Sequence, residues 1–146
     1  MTILGPGMTR EGKKGGPLSN NAILHSDPTR EQVSLELAIQ CARIGEDNKA
    51  KDIQILDLRR ITPIFDFFVL MTGGSRRQIH TLAEEVDAYM RSQDEKRLSI
   101  QGYQASRWIA QDYGDIVVHV FDGDSRAYYA LEELWTDAPR IDWKRE

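Results

Sequence analysis

The sequence of 146 residues has one cysteine, five prolines and no long apolar run. A lone Cys41 cannot form an internal disulfide or hold a metal ion by itself, and so few cysteines are typical of a reducing compartment. No stretch approaches the roughly 20 apolar residues that span a bilayer. Residues 1–24 also lack the continuous apolar stretch of a secretory signal. Together these absences predict a cytoplasmic protein without a membrane segment.

Positive charge is scarce in the last quarter of the chain. The whole sequence has 19 Lys and Arg against 23 Asp and Glu, and residues 108–146 hold four basic and nine acidic residues. A surface of that sign repels phosphate, which predicts little or no direct contact with nucleic acid. It suits a basic protein partner. Mild acidity that only keeps the domain soluble is the alternative interpretation.

Glycine and proline divide the chain into segments. Five of the eleven glycines stand in the first 16 positions, together with Pro6 and, just beyond, Pro17. Such a segment buries too little apolar surface to offset the entropy of ordering it, so residues 1–25 are predicted to form a flexible tail. One domain is predicted over residues 26–138, and a polar C-terminal tail over residues 139–146.

The first half of the domain shows helical and strand patterns in turn. A helix is predicted from Asp27-Pro28 to Gly45, with an apolar stripe that consists of Val33, Leu37, Ala38, Cys41 and Ile44. Residues 52–58 alternate as a strand, and residues 65–72 are a nearly continuous apolar run, which is typical of a strand covered on both faces. Ser75 then begins a second helix, in which Gln78 completes a capping box.

The second half of the domain predicts two more strands and a last helix. The strands, at 108–111 and 116–121, are joined by the turn Asp112-Tyr113-Gly114-Asp115. Asp124 or Ser125 is predicted to cap a third helix that runs to about Trp135, with Tyr128 on its buried side. Helices that alternate with short strands, at least one pair of them antiparallel, predict an α/β fold with a mixed sheet flanked by helices.

The turn Thr72-Gly73-Gly74-Ser75 is the first candidate for enzymatic chemistry. A glycine-rich turn before a helix can bring backbone N–H groups close to a phosphate, and Arg76 and Arg77 follow it. The turn is similar to that of nucleotidyltransferases, but those enzymes also need two carboxylates, one residue apart on a neighbouring strand, to hold Mg²⁺. Asp122 and Asp124 have this spacing but follow the last strand. A turn with a helix cap is the alternative explanation.

The other chemistries find less support in the sequence. His25, His80 and His119 are far apart and have no cysteine or carboxylate at ligand spacing, so no metal site is predicted. His119 alternates with Val118 and Val120, as a hydrogen-bonded strand histidine does. A Ser75–His119–Asp115 arrangement lacks a nucleophile elbow.

Aromatic and acidic residues are concentrated near the hairpin and the last helix. All three tryptophans and three of the five tyrosines lie in residues 108–146. Aromatic side chains beside carboxylates are typical of protein–protein hot spots. A place in the core is the alternative for Trp108, Tyr128 and Trp135, whereas Tyr129 lies off the apolar stripe.

In combination, these motifs resemble the ribosomal silencing factor family, also called Iojap or RsfS. The similarity runs over residues 30–138. It lies in four motifs, which are a strand DIQILDL, a strand and turn FDFFVLMTGGSRRQ, a hairpin GYQASRWIAQDYGDIVVHVF and a closing helix RAYYALEELW. It implies a nucleotidyltransferase-like fold without catalytic carboxylates, no cofactor and no enzymatic activity. It implies a protein that binds the large ribosomal subunit through ribosomal protein L-fourteen. By occupying that face it would block joining with the small subunit and repress translation when nutrients are short.

Position by position, the resemblance gives a set of candidate partner-binding residues: Trp108, Asp112, Tyr113, Gly114, Asp115, His119 and Tyr129. Trp108 and Tyr129 would be anchors, Asp112 and Asp115 would pair with basic groups, and Gly114 would hold the turn. Some members of the family self-associate, so a homodimer through the same surface is a further expectation. A nucleotidyltransferase-type enzyme and an adaptor for another protein are the alternative functions.

Overall fold

The computed structural model describes residues 28–145, so the predicted tail (residues 1–25) and the predicted cap Asp27 lie outside the described residues. Over the described part, the elements in chain order are α1 (Pro28–Asp47), β1 (Lys51–Asp57), β2 (Phe67–Gly73), α2 (Arg76–Ser92), β3 (Ser99–Gln101), β4 (Trp108–Asp112), β5 (Ile116–Asp122), α3 (Gly123–Tyr129) and α4 (Leu131–Leu134).

The five strands form one mixed sheet in the order β1-β2-β5-β4-β3. β2 and β5 are parallel and pair over seven residues, from Phe67 with Ile116 to Gly73 with Asp122. The other three pairs are antiparallel. The predicted α/β fold with a mixed sheet flanked by helices is therefore confirmed.

Two long helices cover the first face of the sheet. The side of α2 that faces the sheet is formed by the five predicted apolar residues, all buried: Ile79, Leu82, Ala83, Val86 and Met90. In α1 the buried stripe contains Leu37, Ala38 and the predicted inert Cys41, whose thiol pKa is raised to about 12 by burial. Val33 was predicted on this stripe but is exposed, because Ser34 takes the buried position one turn before Leu37.

The second face of the sheet is covered by shorter pieces of chain. Phe68 and Leu70 of β2 pack there, while Phe67, Val69 and Met71 face the long helices. The prediction that this strand is buried on both faces is confirmed. Leu131 of α4 and the loop before β2 cover part of the second face.

The segment predicted as a polar C-terminal tail lies along β1 in its described part. Backbone hydrogen bonds join Asp57 N to Pro139 O (2.8 Å) and Ile141 N to Ile55 O (3.0 Å). Trp143 is buried against the core under α1, and its backbone oxygen accepts from Arg43 Nε at 2.9 Å. The segment therefore covers the edge of β1 that would otherwise be unpaired.

Several element boundaries differ from the predicted ones, and one strand was missed. The first helix runs past Gly45 to Asp47, and the second strand begins at Phe67 rather than at residue 65. β3 was not predicted at all. It has only three residues, two of them polar, and is held by its pairing with β4, which a short local pattern does not show.

The predicted third helix is two helices. Its cap is Asp122, whose Oδ1 accepts from Ser125 N at 2.7 Å, so the prediction of Asp124 or Ser125 was wrong. The helix breaks at Ala130, whose φ of 45° and ψ of 49° are left-handed. Tyr128 was predicted on the buried side but is 81% exposed, because α3 ends before a continuous stripe can form.

We expect Ala130→Gly to raise the free energy of unfolding by about 0.5–1 kcal/mol, because glycine adopts the left-handed backbone without the penalty that alanine carries. Urea unfolding would measure the change. Ala127→Gly is the matched control: Ala127 is an exposed residue within α3, so its replacement should lower the free energy of unfolding by about 1 kcal/mol. A loss of stability in both variants would contradict the break.

Candidate functional site

The predicted partner-binding residues separate into two groups at the two ends of β4. Trp108 pairs with Phe121 at one end of the hairpin, and Asp112 pairs with Val117 at the other. His119 and Tyr129 lie with Trp108, whereas Tyr113, Gly114 and Asp115 form the turn beside Asp112. The structure therefore does not bring all seven residues together.

The first group is an aromatic cluster on the second face of the sheet. The Trp108 indole N–H donates to His119 Nδ1 at 3.0 Å, and the Trp108 ring stacks on Phe121 with 4.9 Å between centroids. Tyr129 contacts the same indole ring, at 4.7 Å. His119 has no exposed surface. The prediction of a hydrogen-bonded strand histidine is confirmed, and the side chain holds Trp108 in place.

The protonation state of His119 follows from this position. Burial and, to a smaller extent, the nearby positive charge of Arg126 lower the pKa of His119 to about 3. The ring is therefore neutral at physiological pH, with Nδ1 accepting from Trp108 and the proton on the other nitrogen. A neutral buried imidazole contributes packing and one hydrogen bond to this cluster.

The second group ties the helices to the end of the sheet. Asp112 Oδ1 accepts from Gly114 N at 2.8 Å, and Gly114 has the left-handed φ of 100° that favours glycine. The Tyr113 hydroxyl donates to Asp87 Oδ1 of α2 at 2.8 Å, and burial raises its pKa. Asp115 accepts from Arg30 Nε of α1 at 3.0 Å. These carboxylates are nearly buried and serve contacts within the chain.

Large apolar side chains are exposed on the two short helices that follow β5. Tyr128 is 81% exposed, Tyr129 47% and Leu134 53%, and these three residues are here called the aromatic surface. The two tyrosine rings meet edge to face at 4.9 Å. Asp124 and Glu133, on the same helices, are also exposed. Tyr128 was missed because the predicted continuous helix placed it on the apolar side.

A serine and a histidine that the sequence did not connect come together between α2 and the loop before β4. Ser106 Oγ lies 2.7 Å from His80 Nε2, and Tyr103 O lies 2.8 Å from the same nitrogen. Because a carbonyl oxygen only accepts, His80 Nε2 carries the proton and donates. It cannot then act as a base toward Ser106. The Ser75–His119–Asp115 arrangement, which the sequence did not support, does not form, since Ser75 and Asp115 flank opposite ends of parallel strands.

A cleft of about 780 Å³ lies where β2 and β5 end side by side. Its lining includes the Gly73-Gly74-Ser75 turn and also Asp122 and Asp124, which the sequence placed apart from that turn. Ser75 caps α2 as predicted, accepting from Gln78 N at 3.0 Å, and Gln78 Oε1 accepts from Gly74 N. Within residues 28–145 no three His, Cys, Asp or Glu side chains are grouped to hold a metal ion, and no helix is long and apolar enough to cross a membrane.

Comparison with known proteins identifies the family. The family model described as ribosomal silencing factor during starvation matches residues 31–146. The chain belongs to the ribosomal silencing factor family. The match confirms the resemblance inferred from the motifs. The matched residues include the C-terminal segment that lies along β1.

Relatives of this silencing factor chain come from bacteria and from organelles. It is similar to the ribosomal silencing factor RsfS of Halalkalibacterium halodurans, with 39% identity over 76% of this chain and 92% of the relative. A mouse protein named mitochondrial assembly of ribosomal large subunit protein 1 is 26% identical over 92% of this chain and 62% of its own length. A crystal structure of a Bacillus halodurans protein matches with a TM-score of 0.63 and 36% identity, covering 76% of this chain and 98% of that one.

We expect acid to destabilise this silencing factor through His119 before its carboxylates titrate. The folded-state pKa of His119 is depressed. Between about pH 6.5 and about pH 3, the unfolded chain therefore binds a proton at this residue that the folded chain does not bind. Stability should fall by about 2 kcal/mol between pH 6.5 and pH 5, at about 1.4 kcal/mol per pH unit. Urea unfolding at several pH values would measure this, with a flatter profile expected for His119→Gln. An NMR titration of the wild-type ring with a midpoint near pH 6.5 would contradict the assignment.

Proposed function

We propose that this protein is a non-enzymatic, cytoplasmic repressor of translation. It binds the large ribosomal subunit through ribosomal protein L-fourteen and prevents the small subunit from joining when nutrients are limiting. The mechanism is steric: a bound domain occupies the volume that the joined subunits need. Membership of the silencing factor family supports the ribosomal part of the proposal, and the name of the mouse relative refers to the large subunit.

The observation that carries the proposal into the structure is the aromatic surface. Tyrosine side chains make large contacts at a low cost in conformational entropy and are enriched at hot spots. Tyr128 and Tyr129 are exposed next to each other, and Tyr129 rests on the buried Trp108. The surface is therefore held in one orientation before a partner arrives, which lowers the cost of binding.

Charge around the aromatic surface fits a basic protein partner. Asp124, Glu133 and Asp137 are exposed on α3, on α4 and just after α4. Opposite charges at the rim of an interface increase the rate of association and fix its orientation. An interface of standard size, on the order of 1,600 Å², would supply enough affinity. A second copy of the chain would use the same surface, so self-association and subunit binding would compete.

The predicted partner-binding residues take different roles in this proposal. Tyr129 contacts the partner, and Trp108 and His119 support it from below. Asp112, Tyr113, Gly114 and Asp115 fix the hairpin turn to α1 and α2.

The fold is proposed to be of nucleotidyltransferase type without its catalytic carboxylates. Of the two carboxylates beside the Gly73 turn, Asp122 is already engaged as the cap of α3.

We expect Tyr128→Ala to weaken co-sedimentation with purified large subunits by about tenfold or more, because a hot-spot tyrosine contributes roughly 2 kcal/mol. The free energy of unfolding should hardly change, because Tyr128 is 81% exposed. Leu98→Ala is the matched control, since Leu98 is 63% exposed and lies before β3. Equal binding by the Tyr128 variant and wild type would remove the aromatic surface from the interface.

We also expect a chain that begins at residue 26 to bind large subunits as the full chain does, because the family match begins at residue 31. Sedimentation of both chains with the same subunits would test this. Weaker binding of the shorter chain would assign the first 25 residues a role in the interface.

A further inference from the structure

The cleft at the ends of β2 and β5 lies where the chain leaves a parallel pair toward opposite faces of the sheet. After β2 the chain passes into α2 on the first face, and after β5 it passes into α3 on the second. In α/β sheets, ligands bind in the crevice that forms outside the carboxyl ends of strands at such a point. The volume of about 780 Å³ is within the range of small-molecule sites.

The lining of the cleft holds four cations and three carboxylates, which gives it a net charge of +1 in a chain of net charge −4. Four cationic side chains line it: Lys49, Lys51, Arg76 and Arg107. All four are exposed, and within the described residues none forms an ion pair, although Arg76 also donates to the backbone oxygen of Gln104. Unpaired cations around a concave surface attract an anionic ligand.

Two glycines of the lining have no structural reason to be glycine. Neither Gly74 nor Gly123 has a left-handed backbone. A Cβ at Gly123 would meet no atom within 4 Å, and one at Gly74 would meet only Gln78 Oε1 at an ordinary 3.5 Å. The fold would therefore accept a side chain at both positions. Their bare backbone instead leaves room for close approach by a ligand, as glycines do where phosphates bind.

We propose that this cleft binds a phosphorylated small molecule of the size of a nucleotide, which goes beyond the proposed function. The cations and the first turn of α2 face its phosphates. Asp52, Asp122 and Asp124 also line the cleft and place acceptors at its rim. They suit the hydroxyl groups of a sugar.

Calorimetric titration of the full chain with ATP, ADP and inorganic pyrophosphate, each with and without Mg²⁺, tests the proposal. Saturable binding of ATP or ADP is expected. Reversing two cations, in Lys49→Glu/Lys51→Glu, should weaken it by about tenfold or more. Gly123→Leu should weaken it similarly while the thermal midpoint stays near that of wild type, because the position has open space.

Lys96→Glu/Lys144→Glu is the matched control, because both residues are exposed, neither lines the cleft, and the change in net charge is the same. It should bind the nucleotides as wild type does. The proposal is overturned if no nucleotide binds or if the control loses as much affinity as the cleft variant. Large-subunit binding by Gly123→Leu is measured separately, so failure here leaves the proposed function standing.

Discussion

The parallel pairing of β2 and β5 determines the arrangement of the whole domain. Both strands are almost entirely buried. Along their seven paired residues, apolar side chains point to both faces of the sheet. Parallel strands bring the same ends together, so α2 and α3 begin next to each other after Gly73 and Asp122. α2 is long and helps to cover the first face of the sheet, whereas α3 is short and covers only part of the second face. The cleft and the aromatic surface both follow from this difference.

The aromatic surface depends on a buried layer beneath it. His119 accepts from the Trp108 indole, Trp108 supports Tyr129, and Tyr129 meets Tyr128 at the outside. Burial keeps the imidazole neutral, so this layer carries no charge of its own at physiological pH. The exposed part is thus two aromatic rings on a fixed base. Such a structure is suited to contact with another protein.

Much of the fold could be predicted because its signals are local. The stripe on α2, the doubly buried β2 and the cap at Ser75 each follow from residues within one element. The motifs in their order were also sufficient for the family. β3 could not be predicted because three residues carry too little pattern, and the C-terminal segment because its contacts with β1 join residues more than 80 positions apart.

The candidate site was harder to predict than the fold, because it depends on which side chains meet. Asp115 reads as a surface charge in a turn, but Arg30, 85 residues earlier, pairs with it. Tyr128 has the spacing of a core residue, but the left-handed Ala130 ends the helix and leaves it in solvent. The cleft joins Gly73 and Asp122, which only the parallel register brings together. For Asp115 and for the cleft, a contact between distant residues outweighs the local pattern, whereas for Tyr128 the backbone conformation of Ala130 does so.

A subunit-joining assay tests the steric account most directly. Purified small and large ribosomal subunits would be mixed under joining conditions with increasing amounts of the full chain, and joined particles would be resolved by sedimentation. The account predicts that joined particles decline in proportion to the large subunits that carry the protein, without consumption of any nucleotide. Joining that proceeds undiminished when every large subunit carries the protein would contradict it.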